Sequence, residues 1–338
     1  MSIKIETESK YYCMEPEKLI DRCEKLGFKK IKYITEDDEY FTDIDSLFIK
    51  NRTCLRIRKT DNKEMEVTFK GKSLELLGQF SKLENNITTD IKDYDNYVSL
   101  FGSLGYYSYV YVEKERLIYS YSNKAFRYSV MIDKIKGIGG FVEFELIANK
   151  DDYSKDTLIE ELNSFVNKFD GISLKEATEP YRDITAKHIY KKNYLDKDKE
   201  LYINVDRVIL KLEKDFYKKN KDKLEQILDN KVNFDEYKSC NSTKLEKLVD
   251  EYFSNKIFDT NELLVIFKLL ESINYKKHFI TKANKYFYKG FLKKLNVSIN
   301  DIIYNDKDLS KEKIKKSIYL NGELKTIVQS LLIIINVG

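Results

Sequence analysis

The stretch Ile3-Lys4-Ile5-Glu6-Thr7-Glu8-Ser9-Lys10-Tyr11 alternates residue by residue. In a strand, side chains two apart point the same way. Glu6, Glu8 and Lys10 therefore share one face, and Ile3, Ile5 and Tyr11 share the other. For a single strand, a charged face is ordinarily a solvated face. Here the pattern recurs along the chain. Arg56 and Arg58 oppose Leu55 and Ile57. Glu66, Thr68, Lys70 and Lys72 oppose Met65, Val67 and Phe69. Lys82 and Glu84 flank Leu83, Lys114 and Arg116 share a face, and so do Arg127 and Asp133. Glu143 and Glu145 oppose Val142, Phe144 and Leu146. The charged faces mix both signs, while the opposite faces are apolar and need cover. A sheet with its apolar face outward against helices and its charged face inward closes into a barrel with a hydrated lumen.

Eight strands follow from this alternation: 3–11, 31–42, 55–58, 65–72, 80–88, 109–118, 126–133 and 141–146. Helical stretches interrupt them at 15–26 and 94–104, each ending near a glycine, Gly27 and Gly105. Two further helices are predicted at 156–169 and 180–191. The expected fold is α+β: an eight-stranded antiparallel closed barrel with flanking helices over residues 1–192. From about residue 195 the pattern turns to helical spacing rich in Lys, Leu, Glu, Ile and Asn, which predicts an all-α region over 195–338. Thr243 with Glu246, and Asp259 with Glu262, have capping-box spacing. The apolar end, Leu331 to Val337, calls for burial in that region or against a partner.

Composition narrows the function. The chain has 338 residues with 34% charged, 42% hydrophobic and a net charge of only +4. No global basic field argues for nucleic acid. Four cysteines, Cys13, Cys23, Cys54 and Cys240, form no C-x-x-C pair, and the two histidines, His188 and His278, exclude a zinc site or a His-based triad. No apolar run suits a signal peptide or a bilayer span. A cytoplasmic protein with reduced thiols, bound to no membrane, is expected.

Lysines and arginines converging from several strands fit a polyanion with many phosphate oxygens, Arg as a bidentate fork and Lys as a point charge. Carboxylates beside them would repel phosphate unless a hard cation stands between. Glu6, Glu8, Glu143 and Glu145 are thus candidate ligands for Mg²⁺ or Mn²⁺. The alternative for each is a salt bridge to a neighbouring base.

These residues resemble a known family. Glu6-Thr7-Glu8-Ser9-Lys10 is similar to the E-x-E-x-K signature of the CYTH superfamily, the triphosphate tunnel metalloenzymes. That family includes class IV adenylate cyclases, thiamine triphosphatases and inorganic tripolyphosphatases. Tyr40-Phe41 followed by Leu55-Arg56-Ile57-Arg58, then Lys70, then Lys114-Glu115-Arg116 resemble its next motifs in order. Asp133 and Gly137-Ile138-Gly139-Gly140-Phe141-Val142-Glu143-Phe144-Glu145 resemble its closing segment with one extra glycine, and Pro180-Tyr181 its last element. The resemblance spans about residues 1–192 and implies an eight-stranded antiparallel tunnel. It implies metal ligation by Glu6, Glu8, Glu143 and Glu145, with catalysis centred on Lys10, Glu6, Glu8 and Glu145. It implies phosphate binding by Lys10, Arg56, Arg58, Lys70, Lys114 and Arg116. Asp133 would orient a base or assist at a metal, and Lys82, Glu84 and Arg127 would support. The chain departs from the family at Lys82-Leu83-Glu84-Asn85-Asn86, where R-x-E-x-E is usual. The acidic stretch Glu36–Glu39 leaves the register of its strand open.

The expectation is a divalent-metal-dependent enzyme acting on a small triphosphate: inorganic tripolyphosphate, or a nucleoside or thiamine triphosphate. Hydrolysis comes first and cyclisation of ATP to cyclic AMP second. A third reading is a non-catalytic nucleotide or polyphosphate sensor signalling through the helical region. Keeping four glutamates speaks against it, and Asn86 in place of a carboxylate speaks mildly for it. Residues 195–338 would supply a homodimer or protein-partner contact.

Overall fold

The N-terminal alternation forms β1 (Lys4–Cys13), whose ladder partner lies more than a hundred residues away. The computed structural model describes residues 4–73, 82–149, 152–254, 261–294, 301–303 and 309–338. The chain divides into two compact units, Met1–Ile189 and Tyr190–Gly338. In the first, β1 is followed by α1 (Pro16–Lys25), β2 (Lys29–Asp43), α2 (Leu47–Lys50), β3 (Cys54–Thr60) and β4 (Glu64–Ser73). Then come β5 (Lys82–Thr89), α3 (Tyr94–Ser103), β6 (Tyr106–Ser122), β7 (Arg127–Ile135) and β8 (Gly139–Asn149). The unit closes with α4 (Lys155–Asn167), β9 (Leu174–Glu176) and α5, whose full span is Tyr181–Asn193.

These strands form one antiparallel sheet in the order β5-β4-β3-β2-β6-β7-β8-β1-β9. All eight strands expected from alternation are present, in a sheet of nine rather than eight. A ninth strand, β9, pairs with β1 only over Tyr11–Cys13 and takes part of its outer edge. Among the described residues no ladder joins the end strands β5 and β9. β9 is too short to show alternation. The expected strand over 80–88 begins in residues 80–81, which lie outside the described residues.

The apolar faces point outward, as the alternation requires. Leu19 and Cys23 of α1 and Leu158, Leu162 and Phe165 of α4 pack on Val130, Val142, Phe144 and Leu146 of β7 and β8. Phe165 anchors this layer, with ring centroids 5.0 Å from Tyr128 and 5.5 Å from Phe144. On the other half, Phe101 of α3 packs with Phe41, Leu55, Ile57, Met65 and Val67. Burying a large apolar side chain stabilises by about 1.5–3 kcal/mol. These outer cores therefore hold the sheet and leave its inner face for charge. Two glycines of the β7–β8 hairpin are geometric. Gly137 turns at φ 75°, and a Cβ on Gly140 would stand 2.5 Å from the Cys13 carbonyl oxygen.

The second unit is helix-rich but not all-α. It runs β10 (Glu200–Asn204), α6 (Asp206–Lys219), α7 (Lys221–Leu228), α8 (Phe234–Ser239), α9 (Thr243–Ser254) and α10 (Asn261–Glu271). It continues through β11 (Lys276–Ile280), α11 (Lys285–Lys294), β12 (Asp301–Ile303), α12 (Lys311–Lys316), β13 (Ile318–Leu320) and α13 (Leu324–Val337). The four strands form a parallel sheet, order β12-β11-β10-β13. Leu201, Tyr202 and Ile203 are all fully buried. A strand covered on both faces reads as a short apolar run, indistinguishable by period from a helix. The capping box sits at Asn233 and Glu236. At Thr243, by contrast, the helix has already begun, and the Ser242 hydroxyl accepts from the Lys244 N–H. Asp259 lies outside the described residues. Leu331, Leu332, Ile333 and Ile334 of α13 are buried, as their apolarity requires. Among the described residues no helix is long and apolar enough to cross a membrane.

One buried carboxyl gives this unit a pH signature. Glu213 on α6 is fully buried and accepts the Asn284 N–H at 2.6 Å. Burial pushes its pKa from 4.5 up to about 7, against the pull of the Asn284 N–H and Lys238. The folded form thus holds a proton that the unfolded chain releases, and stability falls as pH rises through that window. We expect Glu213→Gln to flatten the slope. Urea unfolding of both proteins between pH 5 and pH 8 measures it, and an unchanged slope would assign it to another group.

Candidate functional site

Register decides which charges meet on the inner face. Lys10 lies opposite Glu143 and Glu8 opposite Glu145 across β1–β8. Arg116 lies opposite Asp133 across β6–β7, and Arg58 opposite Glu66 across β3–β4. Arg56 and Arg58 face Tyr40 and Asp38 across β2–β3.

Two of the arginines are held by carboxylates. Arg116 donates Nε to Asp133 Oδ1 at 2.7 Å and Nη2 to Asp133 Oδ2 at 2.6 Å, and Nη2 also reaches Glu143. Burial works against this guanidinium's charge, but Glu143 and Asp133 outweigh it and hold its pKa well above the ordinary value. Arg58 donates Nε and Nη2 to Asp38 at 2.6 and 2.7 Å, and Nη1 to Glu36 at 2.9 Å. Asp38 is almost completely buried. Burial opposes its charge, yet Arg58, Lys114 and Arg56 keep its pKa far below the ordinary carboxylate range. Lys114 pairs with Glu36 at 2.8 Å. Its pKa is lowered by burial first and by Arg116 and Arg58 next.

Three other bases keep donors in reserve. Lys10 stands 3.5 Å from Glu143. Lys70 pairs with Glu84 at 2.9 Å, and Asn86 donates to the same carboxylate at 3.0 Å. Asn86 therefore orients Glu84 where the family pattern has a carboxylate. Arg56 bonds Thr68 at 3.1 Å, and among the described residues its buried Nε has no hydrogen-bond partner.

The sheet must curl strongly to assemble this set. β4 and β1 stand six places apart in the ladder order, roughly 29 Å on a flat sheet. Yet Lys70 of β4 acts on the carboxyls of both Glu6 and Glu8, and Glu84 of β5 acts on Glu6. The two halves of the inner face thus look at each other.

The acidic end differs from the basic middle. Solvent reaches Glu6 and Glu8, but surrounding protein still strips much of their hydration. Glu6 is pushed up to about 7 by this desolvation, by the charge of Glu145 and by a hydrogen bond between the two carboxyls. Glu8 is raised by burial and by Glu143 and Glu6. Glu143 is different. Burial would raise it, but Arg116, Lys10 and Lys114 bring it down to about 2. Ser129 donates to Glu145 at 3.2 Å. Among the described residues no three carboxylates converge closely enough to enclose an ion by themselves.

The structure therefore brings together Lys10, Arg56, Arg58, Lys70, Lys114, Arg116, Glu6, Glu8, Glu84, Asp133, Glu143 and Glu145. Arg127 is exposed at the start of β7, about 20 Å along the strand from Asp133, and its ladder partner Ile147 is also the partner of Glu6, which puts it at the acidic end of the sheet. The side chains of Lys72 and Lys82 lie outside the described residues. Sequence reasoning misses Glu36 and Asp38 as partners of the bases. The period-two run Glu36, Asp38, Tyr40 is the signal that could find them, and β2 does place all three on the buried side. Tyr181 stands out in the sequence only as part of a closing motif. Its hydroxyl donates to Asp133 at 2.8 Å.

Residues 4–173 match the CYTH domain family. A Methanocaldococcus jannaschii protein provisionally named an adenylate cyclase is 29% identical over 192 residues, covering 57% of this chain and 97% of that protein. Among solved structures, a Pyrococcus horikoshii protein matches with a TM-score of 0.43 and 23% identity, over 56% of this chain and 100% of its own. A Hippeastrum protein described as a candidate adenylyl cyclase with dominant triphosphatase activity matches with a TM-score of 0.41 and 15% identity. That match covers 56% of this chain and 96% of its own.

Proposed function

The chain belongs to the CYTH domain family, and from that premise we propose that its first unit is a divalent-metal-dependent triphosphatase. The observation that carries this reading is the meeting of two unlike groups on one curled face. Glu6 is crowded by Glu145 at one end, and Lys10, Lys70 and Arg56 offer donors beside them.

A desolvated carboxyl whose pKa is raised by a neighbouring carboxylate marks a place where positive charge is wanted. Mg²⁺ is commonly held by one or two carboxylates, the remaining positions going to water and substrate phosphate. Glu6 and Glu145, with Glu8 adjacent, fit that requirement and supply hard oxygen donors. Mg²⁺ or Mn²⁺ bound there would polarise phosphate oxygens and acidify bound water. On this reading the inner face forms the wall of a tunnel. Arg56, Lys10 and Lys70 take the phosphate oxygens. Arg58 and Arg116, with most donors spent on Asp38 and Asp133, act as fixed charge and as framework. Phosphoryl transfer asks for positioning and charge neutralisation more than for covalent help. Water adds to the terminal phosphorus, the bridging P–O bond breaks, and diphosphate leaves with orthophosphate as the second product.

The name of the Methanocaldococcus jannaschii relative favours a second reading. With ATP, the ribose 3′-hydroxyl would attack the α-phosphorus and expel pyrophosphate. Incubation with ATP and Mn²⁺, resolved by ion-exchange chromatography, separates the two. We expect ADP and orthophosphate. Cyclic AMP with pyrophosphate would establish cyclisation instead, and no product from ATP or from tripolyphosphate would overturn both readings.

A further inference from the structure

Tyr181 is the first residue of α5 and is almost completely buried. Its hydroxyl donates to Asp133 Oδ2 at 2.8 Å, the oxygen that also receives Arg116 Nη2 at 2.6 Å. The face of its ring lies 4.1 Å from the Lys10 ammonium and 5.3 Å from that of Lys114, measured to the centroid. The ring packs edge-on against Phe141 at 5.1 Å, and Phe141 continues to Tyr12 at 4.8 Å. One side chain thus touches two of the inward cations directly and a third through a single carboxylate.

The chemistry of the contact matters. A carboxylate holding an ammonium consumes its donors and competes with phosphate. An aromatic face attracts the same ammonium through its quadrupole and leaves the N–H groups free. Arg58, clamped by Asp38, shows the opposite arrangement. We infer that Tyr181 is a positioning residue for triphosphate binding: its ring rests Lys10, whose ion pair with Glu143 is long at 3.5 Å, on the inner face with donors available, it packs beside Lys114, which Glu36 holds, and its hydroxyl fixes Asp133 and through it Arg116. This rests on the triphosphate reading above.

Two variants of the full chain separate ring from hydroxyl. Tyr181→Phe keeps the ring, and Tyr181→Leu removes both. Losing the preset orientation of Lys10 should weaken Mg²⁺–tripolyphosphate binding about tenfold in Tyr181→Leu, with KM rising in step. Tyr181→Phe should stay within about threefold of wild type in affinity. Calorimetry reads the affinity. Ring-current shifts of the lysine Cε protons, present in wild type and Tyr181→Phe and absent in Tyr181→Leu, read the geometry without any ligand. A wild type that binds no tripolyphosphate would overturn the triphosphate reading. A wild type that binds, with Tyr181→Leu binding equally well, would overturn the positioning role alone. Equal losses in both variants would also overturn the role of the ring.

Discussion

Glu6→Ala and Glu145→Ala are each expected to lower triphosphate turnover by roughly 100-fold or more, while circular dichroism and Tm stay near wild type. The two halves of this result have separate causes. Glu6 is desolvated and crowded by Glu145, so its charged form is disfavoured in the folded chain. Removing either carboxyl relieves that crowding, because solvent reaches Glu6 and the Ser129 hydroxyl that donates to Glu145 is a neutral partner. Stability should therefore hold or rise slightly. Turnover should collapse because the hard oxygen donors are gone, and Mn²⁺ affinity should fall with it. Unchanged turnover in both variants would remove the acidic end from the mechanism.

Asp38→Ala should behave in the reverse manner and damage the fold. Asp38 is buried beneath Arg58, with Arg56 and Lys114 each 3.8 Å away. Truncating it leaves Arg56, Arg58 and Lys114 facing one another with Glu36 and Glu66 as the remaining counter-charges. Breaking a buried pair from one side costs about 3–5 kcal/mol, which urea unfolding resolves easily. Replacing both Asp38 and Arg58 by apolar residues of similar size should cost less than the sum of the single changes, since neither charge is then stranded. Additive losses in that cycle would mean the pair contributes little beyond packing.

Much of the fold is legible in the sequence because the inner and outer faces of the sheet obey one rule. Period two alone puts Lys10, Arg56, Arg58, Lys70, Lys114, Arg116, Glu143 and Glu145 on the charged faces of their strands, and the ladders bring those faces together. What alternation cannot give is which cation a carboxylate serves. Glu143 looks like Glu145 in the sequence, yet the one pairs with Arg116 and Lys10 while the other bonds Glu6. That difference arises from the neighbours across the ladder. Asp38 is hidden for a related reason: four consecutive acids, Glu36–Glu39, mask the alternation, although Glu39 in fact turns outward to Tyr94 and Tyr111 at 2.6 Å. Tyr181 is hidden because a tyrosine at a helix start carries no charge signal. The parallel sheet of the second unit is hidden because Leu201–Ile203 and His278–Ile280 are buried on both faces, and such runs carry no period to read.

The most direct test is a phosphorus NMR time course of the full chain with tripolyphosphate and Mg²⁺. The middle-phosphate signal is expected to decay while diphosphate and orthophosphate grow in equal amounts, and chelating the metal is expected to stop the reaction. An undiminished tripolyphosphate spectrum at high enzyme concentration, with Mg²⁺ and again with Mn²⁺, would contradict the triphosphatase reading.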